Sequence, residues 1–134
     1  MAGFHQIIGP RKTAIRLALW ACIAVIALLS LAPADMIARP EQGGYTELGG
    51  PADHMMGYAA AAFLAAITCN ERGMALIALA FLAGAGALEW LQQLSPGRTS
   101  SLEDFIFSAA GVLVGVAASL VLKKLLATKP SKPT

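Results

Sequence analysis

The sequence predicts an all-α membrane protein: four transmembrane helices in a compact bundle, with both termini cytoplasmic. Three observations lead there. Only 13% of the 134 residues are charged and 57% are hydrophobic, whereas soluble domains carry about 25% charged residues. The charges also avoid four stretches, Leu17 to Ala32, Met55 to Cys69, Met74 to Leu88 and Phe105 to Leu122. As helices these reach ~22 to 27 Å, and a turn at their ends brings each near the ~30 Å hydrocarbon core. A soluble chain this short has too little volume to bury four such segments.

The third observation is the lopsided placement of cations. Arg11, Lys12 and Arg16 precede the first stretch, Arg72 joins the second to the third, and Lys123, Lys124, Lys129 and Lys132 follow the fourth. Only Arg39 and Arg98 fall on the other side, and of the acids only Glu71 falls on the cation-rich side. Short cytoplasmic segments are enriched in Lys and Arg, which puts both termini in the cytoplasm. The C-terminal lysines then face anionic lipid. Membrane lipids are thus the expected partners, and no nucleic-acid motif is present.

The chain reads as one transmembrane domain over residues 1–128, with helices at about 14–32, 53–69, 74–93 and 103–126. A disordered basic tail follows at 129–134, rich in Pro and Lys. Pro33 ends the first helix. The basic start, the apolar run and Ala32-Pro33-Ala34 also fit a signal peptide with a small-residue cleavage site. The run is long for that class and Pro33 falls inside the site, so a retained helix is the expectation. The external segment from Pro33 to Ala52 holds Pro40, Gly43, Gly44, Gly49, Gly50 and Pro51, which predicts an irregular connector, long enough to leave a lid or re-entrant role open. Helices two and three form a hairpin turning at Asn70 to Gly73. Helices three and four are joined through a turn at Pro96-Gly97, and Ser100-Ser101-Leu102-Glu103 has the spacing of a capping box.

Helical periodicity puts the polar residues on single faces. Glu89 shares a face with Gln92 and Gln93, and Gly86, Ala85 and Leu82 continue it inward. Asp104, Ser108, Gly111 and Gly115 form one stripe on the last helix, with Gly111 and Gly115 spaced for close helix packing. On the second helix Asp53 stands at the start, and His54 and Tyr58 lead into Ala61 and Ala65. Three helices therefore pair a polar outer end with a small-residue inner half. Their faces are expected to converge, so that the polar ends meet at the external side, with Arg98 reaching down from the loop above. Cys22 and Cys69 read as small buried hydrophobes. Trp90 and Tyr45 fall near the external boundary, where aromatic belts occur, while Trp20 lies inside the first helix and His5 in the N-terminal segment.

These residues resemble the VanZ-like family of small integral membrane proteins. The family pattern has an acid at the start of one helix followed by an aromatic, then E-x-x-Q, a Pro/Gly turn with Arg, and D-x-x-x-N-x-x-G. Asp53 and Tyr58, Glu89 and Gln92, Pro96-Gly97-Arg98, and Asp104 with Gly111 match it, over roughly residues 50 to 118. The chain departs at Gly57, where the family commonly carries His, and at Ser108, where it carries Asn. The resemblance implies a multi-pass protein of the bacterial cytoplasmic membrane with a cell-envelope role. The family takes its name from a teicoplanin-resistance protein, so glycopeptide susceptibility is the phenotype it implies.

Ionisable groups at membrane depth are costly and commonly mark a functional site. The expected function is binding of an anionic lipid headgroup or a lipid-linked envelope precursor. Arg98 and the N–H groups at the start of the last helix would take the anion. Asp53, His54, Tyr58, Glu89, Gln92, Asp104 and Ser108 would supply the remaining contacts. A purely structural role for the cluster is the bland alternative. A helix-mediated homo- or hetero-oligomer through Gly111 and Gly115 is another. An enzyme using Glu89 as acid or base is less expected, because the sequence offers no nucleophile elbow, no Ser–His pair and no metal constellation. No cofactor or metal is expected.

Overall fold

A computed structural model describes residues 11–33, 51–97 and 100–127. All the regular structure among them is helical: α1 (Lys12–Leu31), α2 (Pro51–Ala66), α3 (Glu71–Gln92) and α4 (Leu102–Ala127). In a hydrocarbon environment a helix satisfies its own backbone, which is why long apolar runs fold this way. α1, α3 and α4 are each long and apolar enough to cross a membrane, whereas α2, at 16 residues, is shorter.

The boundaries differ from the expected ones for local reasons. α3 begins at Glu71, ahead of the apolar run, because the Asn70 side chain accepts a 2.9 Å bond from Gly73 N–H and caps it. α2 stops at Ala66, short of Cys69. There Thr68 Oγ1 donates to the Ala65 carbonyl at 3.0 Å, and Cys69 N–H bonds the Ala66 carbonyl at 3.1 Å, tightening the chain into a turn. At α4 the cap is Ser101, one residue later than the expected box: its hydroxyl accepts from Asp104 N–H at 3.3 Å. Ser100 instead accepts from Gln93 Nε2 at 3.2 Å. Gly97 has φ 72, the left-handed conformation that makes glycine the natural residue after Pro96. α1 runs Lys12–Leu31 rather than 14–32 and α4 runs Leu102–Ala127 rather than 103–126. Charged residues at helix ends do not stop a helix, so Lys12 is included. The expected connector at 33–52, Arg39, Tyr45, His5, Arg98 and the tail at 129–134 lie outside the described residues, apart from Pro33, Pro51 and Ala52.

The helices alternate in direction. The end of α1 meets α3's exit, where Ser95 Oγ donates to the Leu31 carbonyl at 3.0 Å. The start of α1 lies by Ile67 and Leu126. α2 and α4 run parallel, Met55 facing Gly111 and Ala59 facing Gly115. α3 runs against both, with Met74 beside Ser119 and Glu89 beside Ser101. The start of α1 and the end of α4 therefore share one end of the bundle.

Among the described helices, α2 and α4 make the closest packing. A Cβ at Gly111 would lie 2.3 Å from the Met55 carbonyl oxygen, and one at Gly115 2.3 Å from that of Ala59. Without side chains there, the two backbones touch. The glycine stripe is thus used within the chain, against α2. Tyr58, Ala62, Ala85 and Val112 form the core, with Ile26, Phe81, Phe105 and Val116 packed around them. The Tyr58 and Phe81 rings meet edge to face, 6.3 Å between centroids. α1 is the peripheral helix: Leu17, Trp20, Val25 and Leu28 are all exposed.

Candidate functional site

Where α2 begins, α3 ends and α4 begins, three helices bring their polar residues together. His54 and Tyr58 sit one turn apart on α2 and are buried, with Asp53 half-buried beside them. Glu89, 8% exposed, occupies the last full turn of α3, and Gln92 one turn on is 1% exposed. Asp104 is half-buried in the first turn of α4 and Ser108 is buried one turn below. The parallel course of α2 and α4, set by the glycine contacts, brings His54 level with Ser108.

The geometry links them in a chain. His54 Nδ1 lies 3.3 Å from Ser108 Oγ and 4.0 Å from Glu89 Oε1. Glu89 Oε2 accepts a 3.0 Å bond from Ser101 N–H. One donor atom each from His54, Glu89 and Asp104 falls within 4.8 Å of the others. The sequence suggested no metal constellation, yet these three residue types on three helices have the spacing of one. Gln92 Nε2 is the buried side-chain polar atom left without a hydrogen-bond partner among the described residues.

Position 57, where the resembled family carries His, faces α1 instead: a Cβ there would meet Ile26 at 3.2 Å.

Beside Glu89 an open groove of about 340 Å³ runs between α3 and α4. Glu89, Gln93, Ser100 and Ser101 form its polar part, and Gly86, Trp90, Leu102 and Phe105 its apolar part. Trp90 and Leu102 project outward, 65% and 75% exposed, so the groove faces the surroundings of the bundle rather than its interior. Sequence periodicity had not singled out Ser100 or Ser101 as anything but capping residues. A larger groove of about 450 Å³ at the opposite end is walled by Ala14, Ile15, Ala18, Leu64, Ile67 and Leu126, with Arg11 at its rim. Among the described residues it lacks convergent polar groups.

The described polar end is rich in acceptors. Two N–H groups at the start of α4 that an anion could use are engaged internally, Ser101 N–H by Glu89 and Asp104 N–H by the Ser101 hydroxyl. No family model, curated protein or solved structure matches the chain.

Proposed function

We propose that this chain is a VanZ-like protein of the bacterial cytoplasmic membrane that binds the head of a lipid-linked envelope precursor in the groove beside Glu89. The observation that carries the reading is the composition of that groove: acceptors and hydroxyls at one part, an exposed apolar flank at the other. Such a surface suits an amphiphile arriving from the bilayer. Glu89 and the Ser100 and Ser101 hydroxyls match a head bearing hydroxyl or amide groups, as a sugar does. Arg98, in the same loop by sequence, is the candidate for the phosphate of such a ligand. A phospholipid headgroup offers fewer donors and fits the acceptor-rich groove less well.

In this reading all four helices span the membrane with both termini cytoplasmic. Support comes from the alternating helix directions and the concentration of Lys and Arg at the shared end of α1 and α4. α2 is ~24 Å long by its 16 residues, and its close seam with α4 keeps it within the bundle.

The Glu89–Ser101 bond favours a second reading, a lock that fixes the loop between α3 and α4. Native mass spectrometry of protein extracted gently from its own membrane separates the two, comparing wild type with an Arg98→Ala/Glu89→Gln variant. A lipid-linked precursor retained by the wild type and absent from the folded variant supports binding. Loss of thermal stability in the variant, with no amphiphile retained by either protein, establishes the lock and rejects the binding role. Altered teicoplanin susceptibility of a deletion strain would extend the binding result to a phenotype.

A further inference from the structure

We infer that His54, Glu89 and Asp104 form a binding site for one divalent first-row transition-metal ion. This goes beyond headgroup binding and does not depend on it. The three donors come from three different helices, and their atoms lie within 4.8 Å of one another. Metal–ligand bonds of about 2.0 to 2.2 Å put neighbouring tetrahedral donors ~3.4 Å apart. Side-chain adjustments of the order of 1 Å would therefore close the trio around an ion.

Charge supplies the second argument. Among the described residues, the carboxylates of Glu89 and Asp104 gather with the His54 imidazole at a partly desolvated bundle end, and the imidazole carries at most one positive charge. It stands 4.0 Å from Glu89, a distance at which the pair is loose. A dication would compensate both carboxylates at once, and charges in a low-dielectric setting require compensation. Ser108 Oγ lies 3.3 Å from the same His54 Nδ1 that faces Glu89, so an ion bound at that nitrogen would replace this contact.

Gln92 gives an independent indication. It lies one turn beyond Glu89 on the same face of α3, is 1% exposed, and its Nε2 has no hydrogen-bond partner. Buried donors require acceptors. An oxygen ligand carried by the ion, from water or a substrate head, would provide one. The donor set is one nitrogen and two carboxylates, with no thiolate. Imidazole suits zinc, copper, iron or nickel better than magnesium and calcium.

The test uses the full chain in detergent, purified without a histidine tag and stripped with EDTA. Zn²⁺ is titrated in by calorimetry, with Mg²⁺ as the comparison and Co²⁺ absorption as a report on coordination. The expected result is one equivalent of Zn²⁺ per chain, more than tenfold weaker binding in His54→Ala and in Asp104→Asn, and unchanged binding in His5→Ala. Helical circular dichroism and the melt of each metal-free variant establish that it is folded. Asp104, only half-buried, is the substitution that leaves the core intact. The inference is overturned by a wild type without a saturable Zn²⁺ site, by a site that binds Mg²⁺ equally well, or by equal Zn²⁺ affinity in folded Asp104→Asn.

Discussion

Lys123 and Glu89 sit at opposite ends of the bundle and are held in opposite ways. Lys123 Nζ donates to the Ala66 carbonyl at 2.7 Å, to the Cys69 carbonyl and to Met74 Sδ at 3.6 Å. Its three donors find three acceptors, and two of them are carbonyls at the end of α2 and in the turn beyond it, that of Ala66 also accepting Cys69 N–H. Nothing in that arrangement asks for a further group. At the other end Glu89 holds Ser101 N–H, stands loosely from His54, and has one turn away a buried Gln92 whose Nε2 has no hydrogen-bond partner among the described residues. A cation closing off a helix end is a complete structural device. An acceptor-rich cluster with an orphaned donor is one that stays open to a ligand. Burying ionisable groups near a membrane does not by itself indicate function; the state of their partners separates the two ends.

Four substitutions, one with a matched control, break or sharpen that contrast. The largest effect belongs to Gly115→Ala, whose Cβ would meet the Ala59 carbonyl oxygen at 2.3 Å. Overpacking at backbone contact should cost about 3 kcal/mol in detergent unfolding and disturb both ends, because the seam aligns them. Gly84→Ala, with nothing within 4 Å, is the matched control and should leave the melt nearly unchanged. Next is Lys123→Met, which removes charge-assisted bonds to the α2 end. A loss of about 2 kcal/mol is expected in equilibrium unfolding, with Zn²⁺ binding at the far end unaltered; a coupled loss of Zn²⁺ binding would show that the ends are not independent.

Gln92→Leu should act in the reverse sense. Replacing an unsatisfied buried amide by an apolar side chain of similar size should stabilise the protein, by about 1 kcal/mol in the same assay. The same variant should retain less amphiphile in native mass spectrometry, a gain in stability at the expense of binding. If stability falls instead, the amide has a partner and the polar end is a lock like the Lys123 end. The smallest change is expected for Ser95→Ala. It removes one neutral bond to the Leu31 carbonyl, worth about 1 kcal/mol at most, and should show as faster hydrogen exchange near the end of α1.

Much of this molecule is legible in its sequence. The charge-free runs marked all four helices, since apolar composition and internal backbone bonding act locally. The i, i+4, i+7, i+11 stripe from Asp104 to Gly115 identified the face of α4 that is buried, though not that Met55 and Ala59 would oppose it. The start of α3 was missed because the Asn70 cap lies outside the apolar run. The capping serine of α4 was misread by one position because Ser100 and Ser101 both satisfy the composition of a cap, and only the direction of Asp104 N–H distinguishes them. The metal-like trio was missed for a different reason: its members lie far apart in the chain, with none of the short spacings that reveal ligands sharing one helix.

Sequence alone determined the helical character, the apolar surfaces and the concentration of polar residues at one end of three helices. Those properties follow from residue type and a 3.6-residue period, which act within a single helix. Tertiary structure decided which faces meet and at what height. Backbone contact at Gly111 and Gly115 sets the axial offset of α2 against α4, and that offset puts His54 beside Ser108. Antiparallel α3 then brings Glu89 and Gln92 to the same level. Relative rotation and translation of helices depend on side chains from several segments at once, so no reading of one segment could have supplied them.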